Sequence, residues 1–133
     1  MRDKGSMEWS SEKTCEVVMF DSVGYVAMRT ALDGLSMRQR VIADNIANIQ
    51  TPGFLSGKVS FEDELARAVQ FGHPETTHIA TARSLEPTRI DGNNVNLDTE
   101  TISSVDTVLR FQLATQAISG EYSNIRAALR TPS

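Results

Sequence analysis

The 133-residue sequence has a single cysteine, two histidines, one tryptophan and four prolines. One thiol cannot close an internal disulfide, and one thiol with two imidazoles cannot build a thiolate zinc centre. Two histidines also leave little material for general-base catalysis. A basic excess is missing too: 13 Lys and Arg stand against 17 Asp and Glu, a formal net charge of -4. Neutralising a phosphate backbone needs the opposite balance, so nucleic acid is not an expected partner. No run reaches the roughly 18 apolar residues of a membrane-spanning helix. A phosphate-cradling glycine loop, a CxxC pair and a Ser/His/Asp arrangement are absent as well. The expectation is a non-enzymatic chain of one domain, without cofactor or metal, and not membrane-spanning.

The apolar residues that are present, 40% of the chain, are concentrated in two proline-free stretches. From Phe20 to Ile49 they fall on heptad positions: Tyr25, Leu32, Gln39 and Ile46 at a, Met28, Leu35, Ile42 and Ile49 at d. Alternating spacings of three and four place them on one stripe of a helix, the seam of a coiled coil. Asp21 or Ser22 can cap its start. Pro52 disfavours helical geometry at Thr51, and Gly53 permits a positive φ, so the helix ends there. Thirty residues at 1.5 Å each make a rod of about 45 Å. Gly24 and Gly34 each weaken it by roughly 1 kcal/mol relative to Ala.

A second helix is predicted over residues 97–129, with Val108, Thr115, Tyr122 and Leu129 at a and Phe111, Ile118 and Ile125 at d. Asn96 or Asp98 caps it, and Asp98 and Glu100 complement its dipole. Ile102, Val105 and Leu109 form another stripe on a neighbouring face. In the first helix Val23, Val26, Val41 and Ala47 also lie off the seam. Such second stripes predict contacts with other subunits, unless the middle of the chain folds back over them.

That middle, residues 51–96, differs in kind, with three prolines and four basic against six acidic residues. Ser60, Phe61, Leu65, Ala68 and Val69 predict a short helix ending near Gly72. His73 to Arg89 reads as loop or weak β structure, and Asp91-Gly92-Asn93-Asn94 as a turn. His73 and His78 flank a glutamate, but Pro74 breaks the geometry between them and no further His or Cys completes a metal site. Glu62-Asp63-Glu64 falls in the first turn of the short helix, where carboxylates favour the positive dipole end.

The fold expected is therefore mainly α: two long terminal helices paired as an antiparallel coiled-coil hairpin, joined by a partly irregular middle with one short helix. Residues 1–18, which hold Trp9 and Cys15, read as a flexible extension or an upstream start before Met19. They lack the apolar core of about 7–15 residues that a secretory signal needs. Residues 19–133 form a single domain.

The most informative segment runs from Ala43 to Phe54. Asn45 and Asn48, three apart, lie on one side of the helix. An amide both donates and accepts, so each can bond backbone at the helix end or on a neighbour. Asn45-Ile46-Ala47-Asn48 followed by Thr51-Pro52-Gly53-Phe54 resembles the signature of bacterial flagellar rod and hook proteins. Asp91-Gly92-Asn93-Asn94-Val95 resembles a motif of their proximal rod branch. So do Leu32-Asp33-Gly34-Leu35, Phe61-Glu62-Asp63, Thr77-His78-Ile79 and the pair Arg110-Phe111. The likeness runs from Met19 to about Leu129.

The resemblance implies a structural subunit of the flagellar basal-body rod, polymerising through its terminal helices as part of the drive shaft for motility. It implies as partners other rod proteins, the ring or adaptor proteins at the rod base, and the flagellar type III export apparatus. Asn45, Asn48, Thr51, Pro52, Gly53 and Phe54 would form a helix-end packing motif, and Asp91, Gly92, Asn93 and Asn94 the turn feeding the second helix. The extension precedes the family's usual start, and Ala43-Asp44 and Asn96 depart from its commoner residues. The terminal segments would order on assembly, as their seams become buried. The competing expectation is a soluble helical adaptor, or a binding protein of the export apparatus, in a discrete complex.

Overall fold

A computed structural model describes residues 22–130. The expected extension and Asp21 as a cap lie outside the described residues. In chain order the elements are α1 (Val23–Ala47), β1 (Gly57–Ser60), α2 (Glu62–Gln70), a single 3-10 turn (Pro74–Thr76), β2 (Ala80–Arg83) and α3 (Leu97–Ala128). The chain is thus mainly helical, with a two-stranded sheet that the sequence reading contained only as weak β structure after His73. β1 was not anticipated at all: four residues are too few to establish alternation. No helix among the described residues is long and apolar enough to cross a membrane.

α1 starts where Ser22 accepts a hydrogen bond from the Tyr25 amide at 3.2 Å, satisfying a donor that has no intrahelical partner. The strands pair antiparallel, from Gly57 opposite Arg83 to Ser60 opposite Ala80. The connection between them carries α2 and the 3-10 turn, and the whole unit packs on α1. Its apolar centre is Leu35 from α1 with Val59 and Phe61 from the hairpin, flanked by Ala31, Val41, Leu65 and Ile79. All of those positions come from the middle segment or from α1; α3 supplies none.

Gly34 explains how this packing closes. A Cβ placed on it would lie 2.7 Å from the Phe61 ring, so only glycine lets the aromatic lie against the helix backbone. The helix loses roughly 1 kcal/mol to a central glycine. Burying a phenylalanine contributes about 1.5–3 kcal/mol, which outweighs it. Arg38, one turn further on, holds its guanidinium 5.1 Å from the centre of the same ring. It also donates to the Val59 carbonyl at 3.0 Å and pairs with Glu62 at 2.6 Å. Burial pushes the Glu62 carboxyl up, but the Arg38 hydrogen bond and backbone donors outweigh it and leave the group below the usual carboxylate range. Glu64 accepts a hydrogen bond from the His78 amide. The acidic triplet therefore ties α2 to its neighbours as well as complementing its dipole.

α3 meets α1 along much of its length. Tyr25 touches Tyr122, with the hydroxyls 3.2 Å apart and the rings edge to face. Gln39 donates to Ser104 and Asn45 to Glu100. Partner numbers fall along α3 as they rise along α1. Yet the buried residues of α3 are Glu100 and Thr107, both polar. Thr107 is accommodated because its hydroxyl bonds the Ser103 carbonyl one turn back.

Candidate subunit-packing site

The most deeply buried side chains include Asn45, Asn93 and Ser56, all polar, near the C-terminal end of α1. A buried amide is destabilising unless its donor and acceptor are both used. Each asparagine here uses both on backbone. Asn45 donates to the Gly57 carbonyl at 2.9 Å and accepts from the Gly57 amide at 2.8 Å, bonding β1 as a neighbouring strand would. Its amide also reaches Glu100 at 3.1 Å, so one side chain links α1, β1 and α3.

Asn93 closes the end of α1. Its Nδ2 lies 2.9 Å from the Asn48 carbonyl, 3.2 Å from that of Ile49 and 2.9 Å from that of Thr51. These carbonyls belong to the C-cap residue of α1 and the turn that follows it, and a side chain from 45 residues away holds that turn against the helix end. Asn93 Oδ1 accepts from the Val95 amide, holding the turn. Asn94 accepts from Ser56 N at 2.7 Å and donates to the Ser84 and Glu86 carbonyls. Asn48 instead donates to Asp44 O within its own helix and accepts from Thr51. Both sequence alternatives for an asparagine thus occur: Asn45 bonds a neighbour, and Asn48 the helix end.

Two glycines bring the motifs together. Gly53 and Gly92 have φ of 72° and 79°, in the left-handed region that glycine enters without strain. Gly53 N donates to Asp91 O at 2.8 Å, and Asn94 N to Phe54 O at 3.3 Å. A Cβ on Gly92 would stand 3.3 Å from the Gly53 Cα. Arg89 adds a donor to the Ile49 carbonyl. Thr51-Pro52-Gly53-Phe54 and Asp91-Gly92-Asn93-Asn94 are therefore two halves of one structure.

Glu100 is nearly enclosed, and burial pushes its carboxyl above the usual range; the Asn45 hydrogen bond opposes this only in part. The His73 ring bonds locally, to Glu75 two residues on, and to no other side chain among the described residues. That bond lies outside the asparagine cluster.

Other expected packing residues are spread along the helices. Leu35 and Ile42 are buried, while Tyr25, Met28, Leu32, Ile46, Asn48, Ile49, Phe54, Ile118 and Ile125 are half-buried. Thr51, Pro52, Gly53 and Asp91 are exposed, and Gly92 half-buried. On α3 the face turned to α1 carries Ser104, Thr107, Ala114, Ile118 and Ile125 in place of an a/d set that includes Val108 and Thr115, which are exposed. The heptad register slipped by one at the a positions because the polar Ser104 and Thr107 were not read as facing residues. Phe111, Tyr122 and Leu129 are also exposed. Gly34, Arg38 and Phe61 are packing residues that the sequence pattern does not single out as such. A glycine in mid-helix was the available signal for Gly34, since only close approach repays its weakness as a helix former. Glu100, whose place in the sequence predicts only a complement to the helix dipole, is also a buried partner of Asn45.

Of the second stripes, the one on α1 is covered in part by the hairpin: Val41 packs at the apolar centre and Val26 is half-buried. On α3 Ile102, Val105, Leu109 and Leu113 are all more than half exposed, in a line. The middle segment folds back over one helix and leaves the other bare.

Comparison with known proteins agrees with this geometry. A family profile described as "Flagella basal body rod protein" matches residues 25–54, which span nearly all of α1 and the loop through Phe54. The chain is 32% identical over 121 residues to the flagellar basal body rod protein FlgB of Borreliella burgdorferi, covering 74% of this chain and 90% of that protein. It is 30% identical over 122 residues to FlgB of Escherichia coli, covering 76% and 88%. Against FlgB of Bacillus subtilis the figures are 26% over 115 residues, 77% and 89%. The chain belongs to the FlgB family of flagellar basal body rod proteins: it is a structural subunit of the rod, not an enzyme, and its place is the flagellar basal body.

Proposed function

We propose that this chain polymerises into the proximal part of the rod, with α1 and α3 paired as an antiparallel coiled-coil hairpin within a single domain over residues 19–133. The observation that carries this reading is the bare stripe on α3. Ile102, Val105, Leu109 and Leu113 continue at helical spacing with no covering element among the described residues. A contiguous exposed apolar strip of this kind marks an interaction surface. Neighbouring rod components complete the core along it. The exposed Val108, Phe111 and Leu129 belong to the same subunit contacts. The asparagine cluster, with Thr51, Pro52, Gly53 and Phe54, is a rigid platform that fixes the angle between the helices and the hairpin.

The remaining partners are the ring or adaptor proteins at the rod base and the flagellar type III export apparatus. Rod assembly transmits torque as part of the drive shaft. Complementation tests the reading. A strain lacking the gene, supplied with a version starting at Met19, should regain basal bodies and swimming. Intact basal bodies in the unsupplemented deletion strain would refute it. A discrete complex in place of a polymer would favour the adaptor reading, and sedimentation distinguishes the two.

A further inference from the structure

We infer that a groove at the start of α3 receives the C-terminal tip of α3 from a second copy of this chain, so that copies join head to tail. This rests on the rod-subunit reading and specifies one of its contacts. The groove, about 540 Å³, is lined by Ile49, Pro87, Val95 and Leu97 together with Glu86, Asp98 and Arg89, whose guanidinium is paired with Asp91. Leu85 and Ile90, immediately beside lining residues in sequence, are fully exposed. Glu86 is already paired with Lys58, whereas Asp98 has no ion-pair partner among the described residues.

The complement lies at the other end of the same helix. Leu129 is 78% exposed, and Arg126 and Arg130 flank it with no ion-pair partner among the described residues. An apolar knob between two guanidiniums matches an apolar groove bearing a free carboxylate, and such pairing sets orientation as well as attraction. A molecule cannot satisfy itself in this way. α3 has 32 residues, a rod of about 48 Å, with the groove at its first turn and the knob at its last. The tip must come from elsewhere. A contact between two different surfaces does not close on a pair, and without ring closure it extends into an open assembly.

Disulfide trapping tests the contact. In a Cys15→Ser background, Leu97→Cys and Leu129→Cys proteins are oxidised separately and as a mixture. The mixture should give a linked dimer at a yield about tenfold above either protein alone. Equal linking within one variant would mean a symmetric contact, and no linking in the mixture would mean no contact; either overturns the inference. Asp98→Arg should cut the mixed yield about tenfold, and Arg126→Glu with Arg130→Glu in the other protein should restore it. Failure to restore overturns the charge pairing. In basal bodies from cells making both cysteine variants, a link to a different rod protein would overturn the second-copy occupant while leaving the rod-subunit reading standing. Normal basal bodies in a strain lacking the gene would instead remove that reading.

Discussion

α1 and α3 are the two long helices, of similar composition, yet they sit in the molecule differently. α1 is enclosed on two sides, by the hairpin with α2 and by α3, and its Leu35, Ile42 and Asn45 are buried. α3 touches the rest of the chain along one face only, and what it buries is Glu100 and Thr107. Apolar area removed from water is the main source of stability, and the fully buried apolar residues, Leu35, Ile42, Val59, Phe61 and Val95, all lie ahead of α3. The fold is therefore anchored by α1 and its hairpin, while α3 meets α1 through polar contacts and the half-buried Ala114, Ile118 and Ile125 and leaves a second apolar stripe exposed. At this boundary the buried side-chain oxygen of Gln39 has no hydrogen-bond partner among the described residues. A polymer subunit gains from that division, because the surface that joins neighbours need not be the surface that keeps the monomer folded.

Substitutions on the two helices should separate accordingly. The largest effect is expected from Asn93→Ala, which removes the donor to three carbonyls at the end of α1 and the acceptor of the Val95 amide. Chemical denaturation should show a loss of about 4 kcal/mol. Leu35→Ala follows at about 3 kcal/mol, the transfer and cavity contributions of a buried leucine. Gly34→Ala sets propensity against packing. The methyl favours the helix by up to about 1 kcal/mol, but displacing Phe61 costs about 1–3 kcal/mol, so a net loss is expected by thermal melting. A gain in melting temperature would mean that the Phe61 ring moves aside freely.

Glu100→Gln is expected to act in the opposite direction. Burial raises the carboxyl above its ordinary 4.5, so the folded chain keeps a proton that the unfolded chain has released. Its contribution is fully present below about pH 4.5 and is lost as pH rises through the raised value. Glutamine keeps an acceptor for Asn45 without a charge. The variant should match the parent at low pH and be the more stable of the two at neutral pH, as stability measured across pH would show. Leu109→Ala should change monomer stability by less than about 0.5 kcal/mol while reducing rod assembly in cells. A large stability loss there would mean that α3 is buried in the free chain after all, and the contrast with Leu35 would collapse.

Much of this was legible in the residues. Helical spacing located both long helices to within a few residues of their ends, since periodicity needs only the local chain. The asparagines announced buried or helix-end amide chemistry, because few other side chains both donate and accept in one plane. The turns at Gly53 and Gly92 followed from which residues tolerate a positive φ. β1 and the sheet were less legible, since a four-residue strand is defined by its partner across 20 positions and not by its own pattern. The seam of α3 was misplaced at Val108 and Thr115 because heptad reading assumes that facing residues are apolar. Thr107 faces inward by bonding its own helix, which a hydropathy pattern does not register.

The sequence by itself determined what depends on neighbours along the chain: the helices and their ends, the turn glycines, the lack of catalytic material and the two motifs. Only the tertiary structure decided what those motifs do to each other. Asn93 reaches back 45 positions to close α1, Asn45 bonds the β1 backbone, and the two glycine turns meet within van der Waals contact. It also decided which helix is covered and which is left bare. Each of these is set by close approach between distant segments, where hydrogen-bond geometry and excluded volume act across space and leave no period in the sequence to read.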